Sequence, residues 1–357
     1  MNARAISIAV IALLLGASQV VAQGYAGLGS DAEGFEAVEA GRDFAFPADH
    51  APHPGFRIEW WYVTANLTGA DGNAYGAQWT LFRQALAPDA EGEGWESGVL
   101  WMGHAAVTSE DEHLSAELFA RGGIGQAGVS LDPFTAFIDD WQLVGEGEGV
   151  AEVTVSASGE DFAYSLDLAT DQPPVLQGEG GYSVKSPAGQ ASYYYSQPFY
   201  EVTGSLTIEG EMVEVTGQAW LDREWSSQPL GKGQEGWDWF ALHLAGGEKL
   251  MLYQLRDADG TRFVPGTWIS PDGSAEPIPP DSTELEPLEW TEVAGREIPT
   301  RWRVKIPARG LEIVTEPLNP KSWMDTAFAY WEGPIRFTGS HDGVGYLEMT
   351  GYGGEGS

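Results

Sequence analysis

Cysteine is absent from the 357-residue sequence. Disulfide bonds, thiolate metal sites and thiol nucleophiles are therefore excluded. A lipid anchor on a terminal cysteine is excluded for the same reason. The stability of the folded chain must come from its hydrophobic core.

Basic residues are scarce: 18 Lys and Arg stand against 53 Asp and Glu, which gives a formal net charge of −35. Nucleic acids and anionic lipid headgroups bind basic surfaces, so we expect neither as a partner. A solvated acidic surface accounts for most of this charge. The sequence nevertheless contains 15 Trp, which need a large core or an aromatic-lined cavity.

Long apolar runs are missing except near the start of the chain. Residues 6–15 form an apolar run after Arg4, and Val20 and Ala22 make a V-x-A site. These features predict a cleavable signal peptide over residues 1–22 and export of the mature protein, to the periplasm or the exterior. The run is shorter than the roughly 18 apolar residues that a membrane span needs.

Sequence signatures of common catalytic and cofactor sites are missing as well. The chain has no G-x-S-x-G elbow, H-E-x-x-H pair, P-loop or Gly-rich dinucleotide turn. His50 and His53 form an H-x-x-H pair in a loop-like segment, and Asp257-Ala258-Asp259-Gly260 lacks the later ligands of a calcium loop. We therefore predict neither a metal site nor a cofactor.

Short runs of β-branched and aromatic residues, broken by Gly, Asp and Asn, fill the chain from Arg57 onward. Asp71-Gly72-Asn73 lies between two such runs, which is typical of a hairpin. No stretch has the spacing of an amphipathic helix. The pattern predicts an all-β antiparallel barrel or sandwich, with one strand over residues 134–143 and the longest irregular segment over residues 271–289.

A weak internal repeat divides the chain into two halves, because several short motifs recur in the same order. The matches are Trp61-Tyr62 with Trp239-Phe240, Tyr194-Tyr195 with Tyr330-Trp331, and Val202-Thr203-Gly204-Ser205 with Phe337-Thr338-Gly339-Ser340. We infer two related β-domains, which cover residues 55–225 and 236–355. A linker over 226–235 joins them, and residues 23–54 form an extended leader for which we expect little packing.

Carboxylates lie among tryptophans at several points of the sequence. In a strand, alternation places Trp220, Asp222 and Glu224 on one face. If this face points inward, at least one carboxyl should have a raised pKa. Two interpretations stay open: the acids pair with arginines and fasten strands, or a protonated carboxyl donates a proton to an apolar substrate while aromatic faces stabilise the carbocation.

In the enzymatic interpretation Asp222 is the proton donor, and Glu224 or Glu59 orients water. The other candidates would bind an elongated apolar ligand, such as an isoprenoid, carotenoid or lipid, in a cavity near the domain junction. They are Trp60, Trp61, Tyr193, Tyr195, Trp220, Trp237, Trp239 and Asp238. The same aromatic wall would serve ligand binding without catalysis equally well. Our leading interpretation is an exported protein that encloses such a ligand, and catalysis is the alternative.

Seven motifs together resemble the AttH-like family, which is related to the carotenoid 1,2-hydratases, also called hydroxyneurosporene synthases. They are HPGFRIEWWYVTANL (53–67), GYSVKSP (181–187), YYYSQP (193–198), GQAWLDREWSSQPL (217–230), GWDWFALHL (236–244), YWEGPIRFTGS (330–340) and GYLEMTGY (345–352). The resemblance implies two lipocalin-like β-barrel domains. It also implies one of three roles: a binding protein that accompanies an ABC transporter, a cofactor-free hydratase or cyclase of apolar alkenes, or a secreted hydrolase.

The resemblance also suggests roles for single residues. In the hydratases the proton donor is an Asp with an aromatic residue two positions earlier, and Trp220-Leu221-Asp222 matches that pattern. The hydratase pattern has a His upstream, whereas the corresponding stretch here is Tyr193-Tyr194-Tyr195.

Overall fold

The computed structural model of the chain describes residues 32–228 and 233–352. The predicted signal peptide, the first part of the leader and the middle of the linker lie outside these ranges. No helix within the described ranges is long and apolar enough to cross a membrane.

Regular structure is almost entirely β-strand. The first sheet contains β1 (Ile58–Gly69), β2 (Ala74–Ala85), β3 (Val99–Thr108), β4 (His113–Arg121), β5 (Ala127–Leu131), β6 (Phe134–Ile138), β7 (Trp141–Gly145), β8 (Glu152–Ser158), β9 (Phe162–Ala169), β10 (Val175–Leu176), β11 (Tyr182–Val184), β12 (Ala191–Ile208) and β13 (Glu211–Ser226). The second sheet contains β14 (Gln234–Leu244), β15 (Lys249–Asp257), β16 (Arg262–Phe263), β17 (Gly266–Ile269), β18 (Ala275–Ile278), β19 (Glu284–Val293), β20 (Arg296–Ile306), β21 (Leu311–Pro317), β22 (Trp323–Met324), β23 (Tyr330–Gly339) and β24 (Gly343–Met349). Single-turn 3-10 helices lie at Ala48–His50, Gly94–Glu96, Pro280–Ser282 and Pro307–Arg309.

Both sheets are antiparallel and curl into barrel-like domains, which confirms the all-β prediction. The first follows the order β4-β3-β2-β1-β13-β12-β9-β8-β7-β6-β5, and the second follows β18-β17-β15-β14-β24-β23-β21-β20-β19. The run of strands from β3 to β7 in the first order corresponds, one strand to one strand, to the run from β17 to β19 in the second. The two barrels therefore share one topology, in agreement with the internal repeat.

Two strand predictions need correction. Residues 134–143 form two strands, because Asp139 adopts a left-handed φ of 51° and the chain turns there. The segment 271–289 is not irregular throughout: β18 pairs with β17, and β19 begins at Glu284. Both strands are largely exposed, so they contain Pro and acidic residues in place of a regular apolar alternation. The sequence pattern therefore did not reveal them.

Each barrel has its own apolar core, and a third apolar cluster joins them. Alternate residues of β1, such as Trp61 and Val63, point into the first core, and Phe240 of β14 points into the second. The opposite faces of these strands meet between the barrels, where Trp220 and Trp239 belong to one buried cluster. The domains thus pack through the outer faces of their sheets.

The described part of the leader packs tightly, contrary to the prediction. The ring centroid of Phe44 lies 5.5 Å from that of Trp225, and Trp61 Nε1 donates to the carbonyl of His50 at 2.9 Å. The His50 ring also contacts Phe134 of β6, which is far from β1 in the strand order. The described part of the leader therefore covers one end of the first barrel, and its aromatic side chains hold it there.

Gly204 and Gly339 occupy matching places in the repeat and both require glycine. Their φ angles are 154° and 144°. A Cβ would lie 2.2 Å from the backbone oxygen of Ser165 or 2.4 Å from that of Glu312. We expect Gly204→Ala and Gly339→Ala each to lower the free energy of unfolding by roughly 1–3 kcal/mol, measured by urea denaturation. Gly147→Ala is the control, since a Cβ there meets nothing within 4 Å. Equal stability of all three variants would contradict the requirement for glycine at positions 204 and 339.

Candidate functional site

A cavity of about 200 Å³ lies between the two barrels. Its walls are mostly apolar and come from both domains. The first domain contributes Ile58, Trp60, Tyr62, Thr80, Phe82, Gln84, Leu100, Trp101, Met102, His104, Phe119, Lys185, Tyr194, Asp222 and Glu224. The second contributes Trp237, Trp239, Tyr253, Phe328, Tyr330, Glu348 and Thr350.

Strand alternation explains why these side chains face the cavity. In the pairing of β1 with β13, Trp60 lies opposite Glu224 and Tyr62 lies opposite Asp222. Directly opposite residues of antiparallel strands project to the same side of the sheet. Because the other face of β1 fills the barrel core, these four side chains point towards the second domain.

Asp222 is a buried carboxyl with one oxygen unpaired. Its Oδ1 accepts a hydrogen bond from Trp220 Nε1 at 2.7 Å and another from the Ser196 hydroxyl. Its Oδ2 makes no hydrogen bond of ordinary geometry with a described residue, and the nearby Tyr194 hydroxyl interacts with the carboxyl and lowers its pKa. Burial raises the pKa of Asp222 to about 7, hydrogen bonds oppose the shift, and the negative charge of Glu224 adds to it. The group can therefore hold a proton near neutral pH.

Glu224 is held differently. Its carboxylate pairs with Lys185 Nζ at 2.9 Å, and both side chains are buried. The Lys185 ammonium also lies 4.6 Å from the ring centroid of Tyr194 and 4.9 Å from that of Tyr253. Glu224 is thereby tied into an ion pair, whereas Asp222 is not.

The second domain supplies further acids that the sequence interpretation did not select as site residues. Trp237 Nε1 donates to Glu348 Oε1 at 2.6 Å, and the Tyr62 hydroxyl donates to Glu332. Burial raises the pKa of Glu348 to about 7, and the charges of Asp222 and Glu224 add to the shift. Glu348 keeps some accessible surface, which it presents to the cavity.

Five of the predicted site residues line the cavity: Trp60, Asp222, Glu224, Trp237 and Trp239. Trp220 lies beside it and donates to Asp222.

Glu59 and Trp61 lie on the opposite face of β1. The carboxylate of Glu59 pairs with Arg223 at 2.5 Å and with Arg83 at 3.1 Å, and it is fully buried. His53, one member of the H-x-x-H pair, also contacts Glu59, at 3.3 Å. In this position Glu59 fastens strands and does not reach the cavity.

Tyr193, Tyr195 and Asp238 also point away from the cavity. The two tyrosines pack with Trp225 beneath the leader, and Tyr194 between them faces the cavity instead. Asp238 pairs with Arg256 at 2.5 Å on the core face of β14. Tyr194 lies opposite Glu224 in the pairing of β12 with β13, so this register would have identified it.

The raised pKa of Asp222 predicts a pH-dependent stability. The carboxyl ionises near 3.8 in the unfolded chain but near 7 in the folded protein. The wild-type protein should therefore lose stability as pH rises from about 4 to 7, by at most about 1.4 kcal/mol per pH unit for this group. We expect urea denaturation to show that the stability of Asp222→Asn relative to wild type increases over this range. A constant difference between the two proteins would contradict the shift.

A family model for AttH-like proteins matches residues 37–352. A solved structure described as an AttH protein from Nitrosomonas europaea is 34% identical, with a TM-score of 0.79, and the match covers 89% of this chain and 100% of that one. No curated protein matches.

A more distant match shows the same fold. Kievitone hydratase from Nectria haematococca is 16% identical, with a TM-score of 0.68, and the match covers 89% of this chain and 96% of that one. The family model matches most of the chain, and the Nitrosomonas protein is 34% identical to it. Together these two findings establish the family. The chain belongs to the AttH-like family.

Proposed function

We propose that the protein binds an apolar unsaturated molecule in the cavity between its domains and adds water across a carbon–carbon double bond. Asp222 would donate the proton. The observation that carries this proposal is a buried carboxyl with a pKa near 7 and an unpaired oxygen on the wall of an aromatic cavity. A carboxyl that is protonated at neutral pH is the general acid that this reaction needs.

The aromatic walls suit the charge that forms on protonation. Protonating an alkene leaves a carbocation, and the faces of Trp60, Trp237 and Trp239 supply cation–π attraction. The negative charge of the newly ionised Asp222 adds to this attraction. A trisubstituted alkene, as found in isoprenoids, gives a tertiary cation, and it is the substrate class that we propose.

The cavity encloses only the end of an elongated molecule. Its volume of about 200 Å³ lies below the usual range for sites that enclose a whole drug-sized ligand. Leu100 and Phe119 line it and are 42% and 56% exposed, so they form an apolar rim. The rest of the molecule would extend over this rim.

The test is incubation of the protein with neurosporene, farnesol and kievitone in ¹⁸O-labelled water, followed by mass spectrometry. We expect at least one product that is heavier by one molecule of labelled water. Tryptophan fluorescence measures uptake in parallel, because Trp60, Trp237 and Trp239 line the cavity. Quenching without a product would instead identify a binding protein for apolar molecules. If neither a product nor quenching is observed, both functions are contradicted.

We also propose that the protein is exported and accompanies an ABC transporter. The proposals rest on the apolar run of residues 6–15 and on the family resemblance. Export is tested by expressing the full chain in a bacterium and determining the N-terminus of the mature product, which should begin at Gln23. Co-purification with a membrane transporter tests the partnership.

A further inference from the structure

Asp222 and Glu348 occupy equivalent positions in the two barrels. In the first sheet Asp222 lies opposite Tyr62 on one side and Ser196 on the other. In the second sheet Glu348 lies opposite Trp239 and Glu332. The strands correspond through the shared topology, β13 with β24, β1 with β14 and β12 with β23.

One match of the sequence repeat, combined with the sheet registers, supports the same equivalence. Tyr194-Tyr195 matches Tyr330-Trp331, so the next residue, Ser196, matches Glu332. Their cross-strand partners are Asp222 and Glu348. This match and the two registers thus place a carboxyl at one position in both halves of the chain.

Both carboxyls accept a hydrogen bond from a tryptophan indole, although the two tryptophans lie on different strands. Trp220, on the same strand β13, donates to Asp222 at 2.7 Å, and Trp237, on the neighbouring strand β14, donates to Glu348 at 2.6 Å. Both line the cavity, from opposite domains. The packing of the outer sheet faces therefore brings two copies of one acid position to the same cavity.

We propose that Glu348 is a second catalytic residue, the base that takes a proton from the attacking water while Asp222 acts as the acid. This inference rests on the proposed hydration. The different settings of the two groups assign the roles: Asp222 is buried and keeps one oxygen unpaired, whereas Glu348 keeps accessible surface at which a water molecule can bind.

The proton and electron balance is complete. The π electrons of the alkene form a bond to the proton of Asp222, which becomes a carboxylate. A lone pair of water then forms the C–O bond at the carbocation, and the water loses a proton to the carboxylate of Glu348. Transfer of that proton from Glu348 to Asp222 restores the starting state, and the net reaction is alkene plus water to alcohol.

The charges around Glu348 favour a state in which Asp222 and Glu348 together hold one proton. Asp222 and Glu224 face it from β13 and Lys185 faces the same cavity from the segment after β11. Glu332 lies beside it on β23 and accepts a hydrogen bond from the Tyr62 hydroxyl of the first domain. Two nearby carboxyls resist ionising together, so one keeps a proton near neutral pH.

The test separates the two proton transfers. With a substrate that the wild type hydrates, Glu348→Gln should lower ¹⁸O incorporation by about 100-fold or more. In deuterated water it should still exchange deuterium into the alkene, since Asp222 still protonates carbon and then removes a proton. Asp222→Asn should lose both signals, and Glu316→Gln, which removes an exposed carboxylate of the second domain, should lose neither.

Undiminished ¹⁸O incorporation in Glu348→Gln would overturn the role of Glu348 and leave the proposed function intact. If no probe is hydrated, the proposed function fails, and carboxyl ¹³C NMR of the substrate-free protein decides the pairing. There, the Glu348 signal, identified by its loss in Glu348→Gln, should titrate about one unit lower in Asp222→Asn than in wild type. An unchanged titration would show that the two carboxyls act separately and would refute the pair.

Discussion

Asp222→Asn is expected to lower the rate of hydration by about 100-fold to 10,000-fold while the protein still folds and takes up its ligand. The amide has the shape of the carboxyl but cannot deliver a proton to carbon. Trp220 Nε1 can still donate to the side-chain oxygen, so the local structure is preserved. Hydration measured by ¹⁸O incorporation, together with tryptophan quenching by the same compound, separates turnover from binding.

The control for this variant is Asp238→Asn, which removes a carboxylate among tryptophans that faces the core of the second barrel. Asp238 pairs with Arg256 and lies outside the cavity, so its loss should reduce stability before it reduces the rate per folded molecule. Undiminished turnover in Asp222→Asn would remove Asp222 from the mechanism.

Arg223→Met is expected to cost about 3–5 kcal/mol in free energy of unfolding. The Arg223 guanidinium binds the Glu59 carboxylate at 2.5 Å, donates to the carbonyl of Ala51 at 2.7 Å and lies 3.8 Å from the Trp61 ring centroid. Arg223 and Glu59 are both fully buried. Removing the cation leaves a buried carboxylate whose charge is only partly balanced by Arg83.

The effect should depend on pH in a defined direction. Burial opposes ionisation of Glu59, but the charges of Arg223 and Arg83 and the hydrogen bond from His53 lower its pKa from 4.5 to about 2. The stabilisation from this pair is therefore complete above pH 4.5 and is lost as pH falls towards 2. Urea denaturation should show that wild type and Arg223→Met converge over this interval.

Two further variants make the result specific. Adding Glu59→Gln to Arg223→Met should recover part of the loss, because no unbalanced buried charge remains. Arg336→Met breaks the exposed pair with Glu316 and should cost at most about 1 kcal/mol. Equal losses in Arg223→Met and Arg336→Met would show that the buried network does not stabilise the first domain.

The sequence predicted the acid-bearing strand well, because alternation is a local property. Trp220, Asp222 and Glu224 do share a face, and that face looks towards the second domain. Alternation also showed that Tyr193 and Tyr195 lie together, but it does not say which face meets the cavity. That choice depends on the register between β12 and β13, which places Tyr194 opposite Glu224.

A one-residue shift in the repeat alignment explains a second difference between the sequence prediction and the structure. The repeat aligned Trp61 with Trp239, whereas the sheet registers align Tyr62 with Trp239. Since side chains alternate, a shift of one residue moves every side chain to the other face. Glu348 was missed because it comes from a segment more than a hundred residues from Asp222, and only the packing of two domains brings both to one cavity.

The placement of the cavity between the barrels, with neither barrel holding it alone, has a consequence for how such a site arises. A single barrel of this topology would expose its acid and its tryptophans to water, where a carboxyl has an ordinary acidity. Duplication of the barrel supplies a second wall, and docking of the copies removes water from both acids at once. A ligand held there binds only the docked pair, so its affinity also stabilises the association of the domains. Selection for the ligand is therefore selection on the interface between the copies.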